Sequence, residues 1–563
     1  RFSKSKERIS QVLVYGRSAL DKLNVYFTLA YGYASLKDYR AVLDIGHTVL
    51  AMLDVSIPGK IPARRVAAEV GRARKLLKGL KDEDLVSHPE NADTRTSAAM
   101  RMLTLLAFES WFSGNHNEFD FLASRLVILS VQSGVTKHTS AAFCLFGIVL
   151  VRRGDYREGQ RFGALSLKVS DRFQAEDCDT RTLMIYHAFI HHLFHPLHDG
   201  LDAMFKVYRL GMRVGDIETG LAVLTTYTIL YLFCGLPLPA LVEDTKGFIE
   251  EMREYKQYNT LGICRIFRQL ALNFMGGPNG TLKLQGEEVA DLDEILGDGM
   301  QAETQGTERM VVFAQMILAY HFSDFDAMAS LAARNEATGS DEFPALHTFL
   351  MAFYRGLIWV ALVKSGRSNF MHRARRQLRQ MKQWLAAGFI NCHHMHCLLK
   401  AEMASVRHRT KKSTDTKDAY DSAIIAARRA GFPHHEALAN ERAGLHLLEC
   451  DKGWSSFYLN RAADLYEEWG ADRKLDEIRS HPVDFASTSL NQSSSSLYGR
   501  SRFSESRQGA LHKERDWLGR KKRSQRINLD PTSSPAWTTN SNRRTSWLPP
   551  QQQPNAGLGD LDD

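Results

Sequence analysis

A chain of 563 residues, 44% hydrophobic and 24% charged, has the make-up of a globular protein with several domains' worth of core. Its net charge of +8 is uneven: from Asn491 onward twelve Lys/Arg face seven Asp/Glu, so +5 sits in the tail and +3 in the first 490 residues. The basic balance therefore describes a tail, not a nucleic-acid-binding face, and the seven scattered cysteines (Cys144, Cys178, Cys234, Cys264, Cys392, Cys397, Cys450) argue for reduced thiols and against a disulfide framework.

The chain opens with RFSKSKERIS, without methionine or an apolar signal region, and reads as a piece of a longer protein. From Leu20 the apolar periodicity is helical, and it recurs as helix, short turn, helix. Residues 20–53 turn at Lys37-Asp38-Tyr39, and residues 141–173 turn at Gly154-Asp155-Tyr156. In both, Gly or Asp is expected to end the first helix, whose last carbonyls lack partners.

Residues 186–200, YHAFIHHLFHPLHDG, place His187, His191 and His195 on one helix face. Two of them at this spacing suit one metal ion, but no further ligands complete a closed site, so packing is the expected role. A turn follows at Gly215-Asp216. Residues 220–242 carry no charge over about the length that spans a bilayer. Gly235, Pro237 and Pro239 break that run, and Thr225, Thr226 and Thr228 suit a protein core, so a buried helix is expected and no membrane span.

The glycine-rich segment 275–284 lacks the Lys-Ser/Thr and the preceding strand of a phosphate loop and reads as a connection. Residues 372–384, HRARRQLRQMKQW, form a helix with a basic, solvated face. In NCHHMHC, residues 391–397, no second Cys/His pair follows at zinc-finger spacing, which leaves ordinary helix histidines and buried thiols. No Ser, His and acidic residues sit on a recognisable nucleophile elbow, so no catalytic residue is assigned.

Near the C-terminus the repeat is visible. AYDSAIIAARRAGF ends around Gly431 and YLNRAADLYEEWGA around Gly470, 39 residues later, close to the roughly 34-residue tetratricopeptide period. Ala437, Ala439, Ala443 and Gly444 let the second helix approach closely. Tyr458, Leu459 and Ala462 pack it, Trp469 anchors the end of the stack, and Gly470 stops the helix. One hairpin cannot bury both faces, so neighbours must stack. Residues 1–480 are thus expected to form an all-α solenoid of about ten or more hairpins, tetratricopeptide-like. Residues 481–563 are Ser-, Pro- and Gln-rich and basic, and are expected to be a disordered tail with at most a short helix at 510–518. Its run LGRKKRSQR at 518–526 suits an acidic partner or nuclear import. Ser546, two residues after Arg544, is a candidate phosphoacceptor.

Two stretches carry a family likeness. The first, residues 194–235, holds Pro196-Leu197, Tyr208 with Gly211, the Gly215-Asp216 turn and Phe233 with Gly235. The second, residues 435–478, holds Ala439-Asn440-Glu441, Tyr458-Leu459, Ala462, Leu465-Tyr466, Trp469-Gly470-Ala471 and Lys474. Both resemble the helical-repeat region of large predicted-ATPase signalling proteins, in which a kinase-like segment and an AAA-type ATPase precede the repeats. In that family a GAF domain and a sensor histidine kinase or cyclase often follow. The resemblance covers about residues 20–480 and implies a helical fold, a cytoplasmic setting and a signalling role. The nucleotide-binding motif is not in this chain, and no family catalytic residue has a matching position. The expected function is a non-catalytic interaction and regulatory module, with no cofactor, whose concave surface receives a protein partner or an adjoining ATPase domain. The alternative is a fragment of an ATP-dependent signalling kinase.

Overall fold

Helix boundaries follow local capping chemistry. In the computed structural model Asp38, Asp93, Asn115, Asp216 and Asp451 each accept a backbone N–H of the helix that follows. The turn aspartates therefore start second helices and do not end first ones, because the orphan donors lie at the helix N-terminus. Ending falls to left-handed glycines such as Gly215 (φ 85°) and Gly470 (φ 81°).

The structure describes residues 19–483 apart from 37, 277–282, 290–291, 293–300, 338–344 and 408–413, together with positions 9, 12 and 485. The chain divides into two units, Arg1–Thr488 and Ser489–Asp563, and the described residues all lie in the first. Ser546, the 518–526 run, the 510–518 helix and Lys37 lie outside the described residues, as do 277–282 of the glycine-rich connection.

Among the described residues every element is helical, and the β contact present is an isolated bridge between Glu90 and Val135. Helices α1 (Ala19–Ser35) and α2 (Tyr39–Met52) form the first hairpin, followed by α3 (Ala63–Leu77) and the short α4 (Asp82–Val86). Then come the pairs α5 (Thr94–Phe112) with α6 (His116–Ser133) and α7 (Thr139–Arg152) with α8 (Tyr156–Phe173). Helix α9 (Glu176–Tyr186) runs on through a π-helical turn, His187–His191, and a last turn, His192–Phe194. Next are α10 (Asp199–Val214) with α11 (Ile217–Phe233) and α12 (Leu238–Glu254) with α13 (Tyr258–Met275). The pairs α14 (Gln301–His321) with α15 (Phe325–Ala337) and α16 (Leu346–Lys364) with α17 (Met371–Ala386) follow. The last are α18 (His393–Arg407) with α19 (Thr414–Ala430) and α20 (Pro433–Leu447) with α21 (Lys452–Trp469), closed by α22 (Asp472–Arg479).

These pairs stack as an α-solenoid, and its inner row is α5, α7, α9, α11, α13, α14, α16, α18 and α20 in turn. The row changes phase twice. The single helix α9 makes second helices the inner ones, and the connection after α13 restores first helices. A fixed sequence period is absent for that reason. The inner helix α7 is buried along its length: every residue from Thr139 to Val151 is covered.

Close packing depends on missing side chains. A Cβ on Gly211 would lie 2.9 Å from Gly220 Cα, and one on Gly444 would lie 2.6 Å from Leu459 Cγ. The 220–242 run is α11, a break at Gly235, and α12; Thr228 donates to Leu224 O at 2.8 Å, keeping its hydroxyl satisfied in the core. Helix α16 is also long and apolar enough to cross a membrane, yet 89% of its apolar window is buried within the stack.

Candidate functional site

Helices α1, α5, α7 and α9 and the α10–α11 turn enclose an open groove of about 990 Å³. The Arg101 guanidinium lies 4.2 Å from the Phe27 ring centroid and 5.5 Å from that of Tyr31. This cation–π seat presents a charge on an apolar floor. Arg181, also in the lining, lies among Glu109 (3.6 Å), Glu218 (3.6 Å) and Asp216 (3.9 Å), and donates to Thr219 Oγ1 at 3.3 Å. Burial works against the Arg181 charge, but the three carboxylates outweigh it and push its pKa up. The groove thus brings together two guanidinium groups, each over an aromatic ring, and a cluster of carboxylates around Arg181.

The structure distributes the residues singled out from sequence. Gly215 and Asp216 form part of the groove wall. Gly154 and Asp155 turn outward, with Asp155 Oδ2 accepting from Arg74 at 3.0 Å, and Tyr156 packs its ring 4.8 Å from Phe389. Tyr458, Leu459 and Ala462 are buried in the α20–α21 hairpin, where the Tyr458 hydroxyl donates to Asp421 at 2.5 Å.

Trp469 is buried, 5.1 Å from the Phe274 ring and 5.4 Å from that of His434. It is not at a free end of the stack, because the solenoid coils back on itself. Asn391 ties the turn before α18 to α9: its Nδ2 donates to His192 O (2.6 Å) and His195 O (2.7 Å), and its Oδ1 accepts from Leu197 N (3.3 Å). A Cβ on Gly470 would meet Pro239 Cδ at 2.7 Å. Among the described residues the chain thus reaches across its own inner side at Asn391, Trp469 and Gly470, while the groove at α1, α5, α7 and α9 stays open.

This inner side is rich in histidine. His394 Nε2 and His435 Nδ1 lie 2.8 Å apart, one donating to the other, and the His434 and His435 rings stack at 3.9 Å. His198 approaches Phe432 at 5.3 Å, and His321 Nε2 bonds the Tyr354 hydroxyl at 3.1 Å. Burial holds His394, His434 and His321 well below the ordinary imidazole range and brings His435 down to about 3. His187, His191 and His195 form a separate row, with ring spacings of 5.1 and 4.5 Å. Among the described residues no group of three or more His, Cys, Asp or Glu side chains is placed to hold a metal ion. Cys397 Sγ meets His393 Nε2 at 3.8 Å, and Cys392 is buried.

Two buried ionic centres went unrecognised in the sequence. Glu402, with no exposed side-chain surface, accepts from Lys364 (2.8 Å), Tyr420 (2.7 Å) and Arg442 (3.3 Å). Burial alone would raise its carboxyl, but Lys364 and Arg442 outweigh that and hold it at about 2. Lys474, 1% exposed, pairs with Glu441 at 2.9 Å and with Glu477 at 2.9 Å, and donates to His321 O. Glu441 also accepts the Tyr466 hydroxyl at 2.7 Å. The letters Ala-Asn-Glu, Leu-Tyr and Trp-Gly-Ala-x-x-Lys of the C-terminal likeness thus meet in one buried staple. Their spacing of 33 residues along the chain signalled nothing by itself.

No family model matches the chain. It is similar to hybrid signal transduction histidine kinase G of Dictyostelium discoideum, 22% identical over 161 residues. That match covers 28% of this chain and 5% of the kinase, so the chain spans a small part of that protein's length. Among solved structures it matches a circular tandem repeat protein with novel repeat topology and enhanced subunit contact surfaces. The match is at 12% identity and covers 82% of this chain and 95% of that one. The TM-score is 0.13, too loose to bear on the fold, which rests on the helix contacts themselves.

Proposed function

We propose that this chain is a non-catalytic, tetratricopeptide-like interaction module of a cytoplasmic signalling protein, and that the groove between α1, α5, α7, α9 and α11 takes a segment of a partner protein. The observation that carries this is the open groove, lined by cations, aromatic rings and carboxylates, in a stack whose inner side is tied across by Asn391 elsewhere. An extended segment fits, with a carboxylate at Arg101 and a cation toward Glu218 and Asp216. The likeness to a hybrid histidine kinase supports a signalling setting, and it also favours a second reading: a piece of an ATP-dependent signalling kinase whose catalytic domains lie elsewhere.

The test is a photo-crosslinking residue at Thr104, in the groove floor, in the full chain with and without R101E. The expected result is a discrete protein adduct that R101E abolishes while the circular dichroism stays unchanged. An adduct unaffected by R101E, or none at all, overturns the groove. An adduct to an adjoining ATPase domain makes the partner intramolecular. Tight ATP binding by this chain in calorimetry overturns the non-catalytic reading.

A further inference from the structure

Helix α17 has sixteen residues, MHRARRQLRQMKQWLA, and not one is acidic. Its inward face is Ala374, Gln377, Met381 and Trp384, all buried. Its exposed positions are His372, Arg375, Arg376, Arg379, Lys382, Gln383 and Ala386. The cations follow one another at three- and four-residue steps, so they stand side by side on the outward face. Like charges at that spacing repel by a few tenths of a kcal/mol per pair.

Some exposed arginines elsewhere have carboxylates: Arg74 has Asp155 (3.0 Å), Arg334 has Glu308 (3.0 Å) and Arg479 has Glu467 (3.3 Å), whereas Arg64, Arg65 and Arg72 of α3 have no ion pair among the described residues. On α17 itself Arg373 turns inward, 4.8 Å from the Trp359 ring centroid and 3.3 Å from Glu336. Arg375, Arg376, Arg379 and Lys382 have no ion pair among the described residues. The field continues onto α18, where Lys400 is exposed and half-buried His396 is held down first by burial and then by Lys400, His393 and Lys382.

We infer that the outward face of α17 is a docking surface for an acidic, Asp/Glu-rich peptide segment of a partner protein. Three guanidinium forks suit paired oxygens of carboxylates better than point charges do. Successive turns of the helix raise the forks by about 6 Å, close to the roughly 6.8 Å between same-side residues of an extended strand. The face has no Phe, Tyr or Trp on which a nucleic-acid base would stack. It has no large apolar side chain to enter a bilayer. The surface is separate from the groove, and its occupancy does not depend on the reading given above.

The experiment uses the full chain and a short fluorescein-labelled Glu/Asp-rich peptide, with anisotropy measured at low and physiological salt. The triple variant R375Q/R376Q/R379Q keeps good helix formers at exposed positions, and circular dichroism verifies its fold. The inference expects binding that weakens with salt and falls about tenfold or more in the triple variant. R375K/R376K/R379K, which keeps the charges and loses the forks, binds between the wild type and the triple glutamine variant. No binding by the wild type, or equal binding by the triple variant, overturns the inference. Tighter binding to anionic vesicles or to single-stranded DNA, lost in the same triple variant, overturns the choice of partner.

Discussion

Replacing Lys474 with Met tests whether the C-terminal staple holds the coiled-back arm in place. The ammonium is 1% exposed and bridges Glu441 of α20, Glu477 of α22 and the carbonyl of His321 at the end of α14. Methionine matches the stem in volume, so cavity formation contributes little. What remains is Glu441, 4% exposed, with the Tyr466 hydroxyl and the more distant attraction of Arg442. Breaking a buried pair by removing one member costs about 3–5 kcal/mol, because the other charge stays buried. Glu441→Gln should cost less, since Lys474 keeps Glu477, which reaches solvent, and the His321 carbonyl. The double variant E441Q/K474M should recover much of the K474M loss, because no buried charge is left alone. Urea unfolding followed at 222 nm gives the stabilities, and amide hydrogen exchange in α20–α22 reports whether the loss is local. If K474M lies within about 1 kcal/mol of wild type, or if the two single changes simply add, the reasoning is wrong.

Acid should loosen the same region. His321, His394, His434 and His435 have folded pKa values depressed below 6.5, so the unfolded chain binds protons first as pH falls. Their contribution is fully present above about pH 6.5 and is lost on descent toward the folded values, about 3 for His435; denaturation midpoints between pH 7 and 4 should fall, less steeply in H435Q. Gly470→Ala forces a side chain at φ 81° against Pro239, and should cost more than the roughly 1 kcal/mol of backbone strain alone, read from the urea midpoint. Gly211→Ala should separate α10 from α11 and destabilise comparably, whereas Gly247→Ala, with no atom within 4 Å of the added Cβ, should be neutral or stabilising by a few tenths to about 1 kcal/mol.

The local pattern of residues alone determined that this chain is helical, that its helices pair, and where many of them start and stop. Those features depend on neighbours a few positions apart: apolar spacing at helical period, aspartates before helices, and glycines such as Gly431 and Gly470 after them. Gly444 against Leu459 was legible in the same way, since small residues on one helix of a hairpin predict close approach of the next. The row of inner helices was not legible, because unpaired α9 and the connection after α13 shift its phase without any local mark. Nor was the groove, since Arg101 and Arg181 read as ordinary helix cations until α1 and the α10–α11 turn are brought to them. Glu441 and Lys474 were visible only as letters of a likeness. The tertiary fold alone decided that they are a buried pair, because an ion pair between residues far apart in the chain exists only after the solenoid has coiled back and excluded water from both.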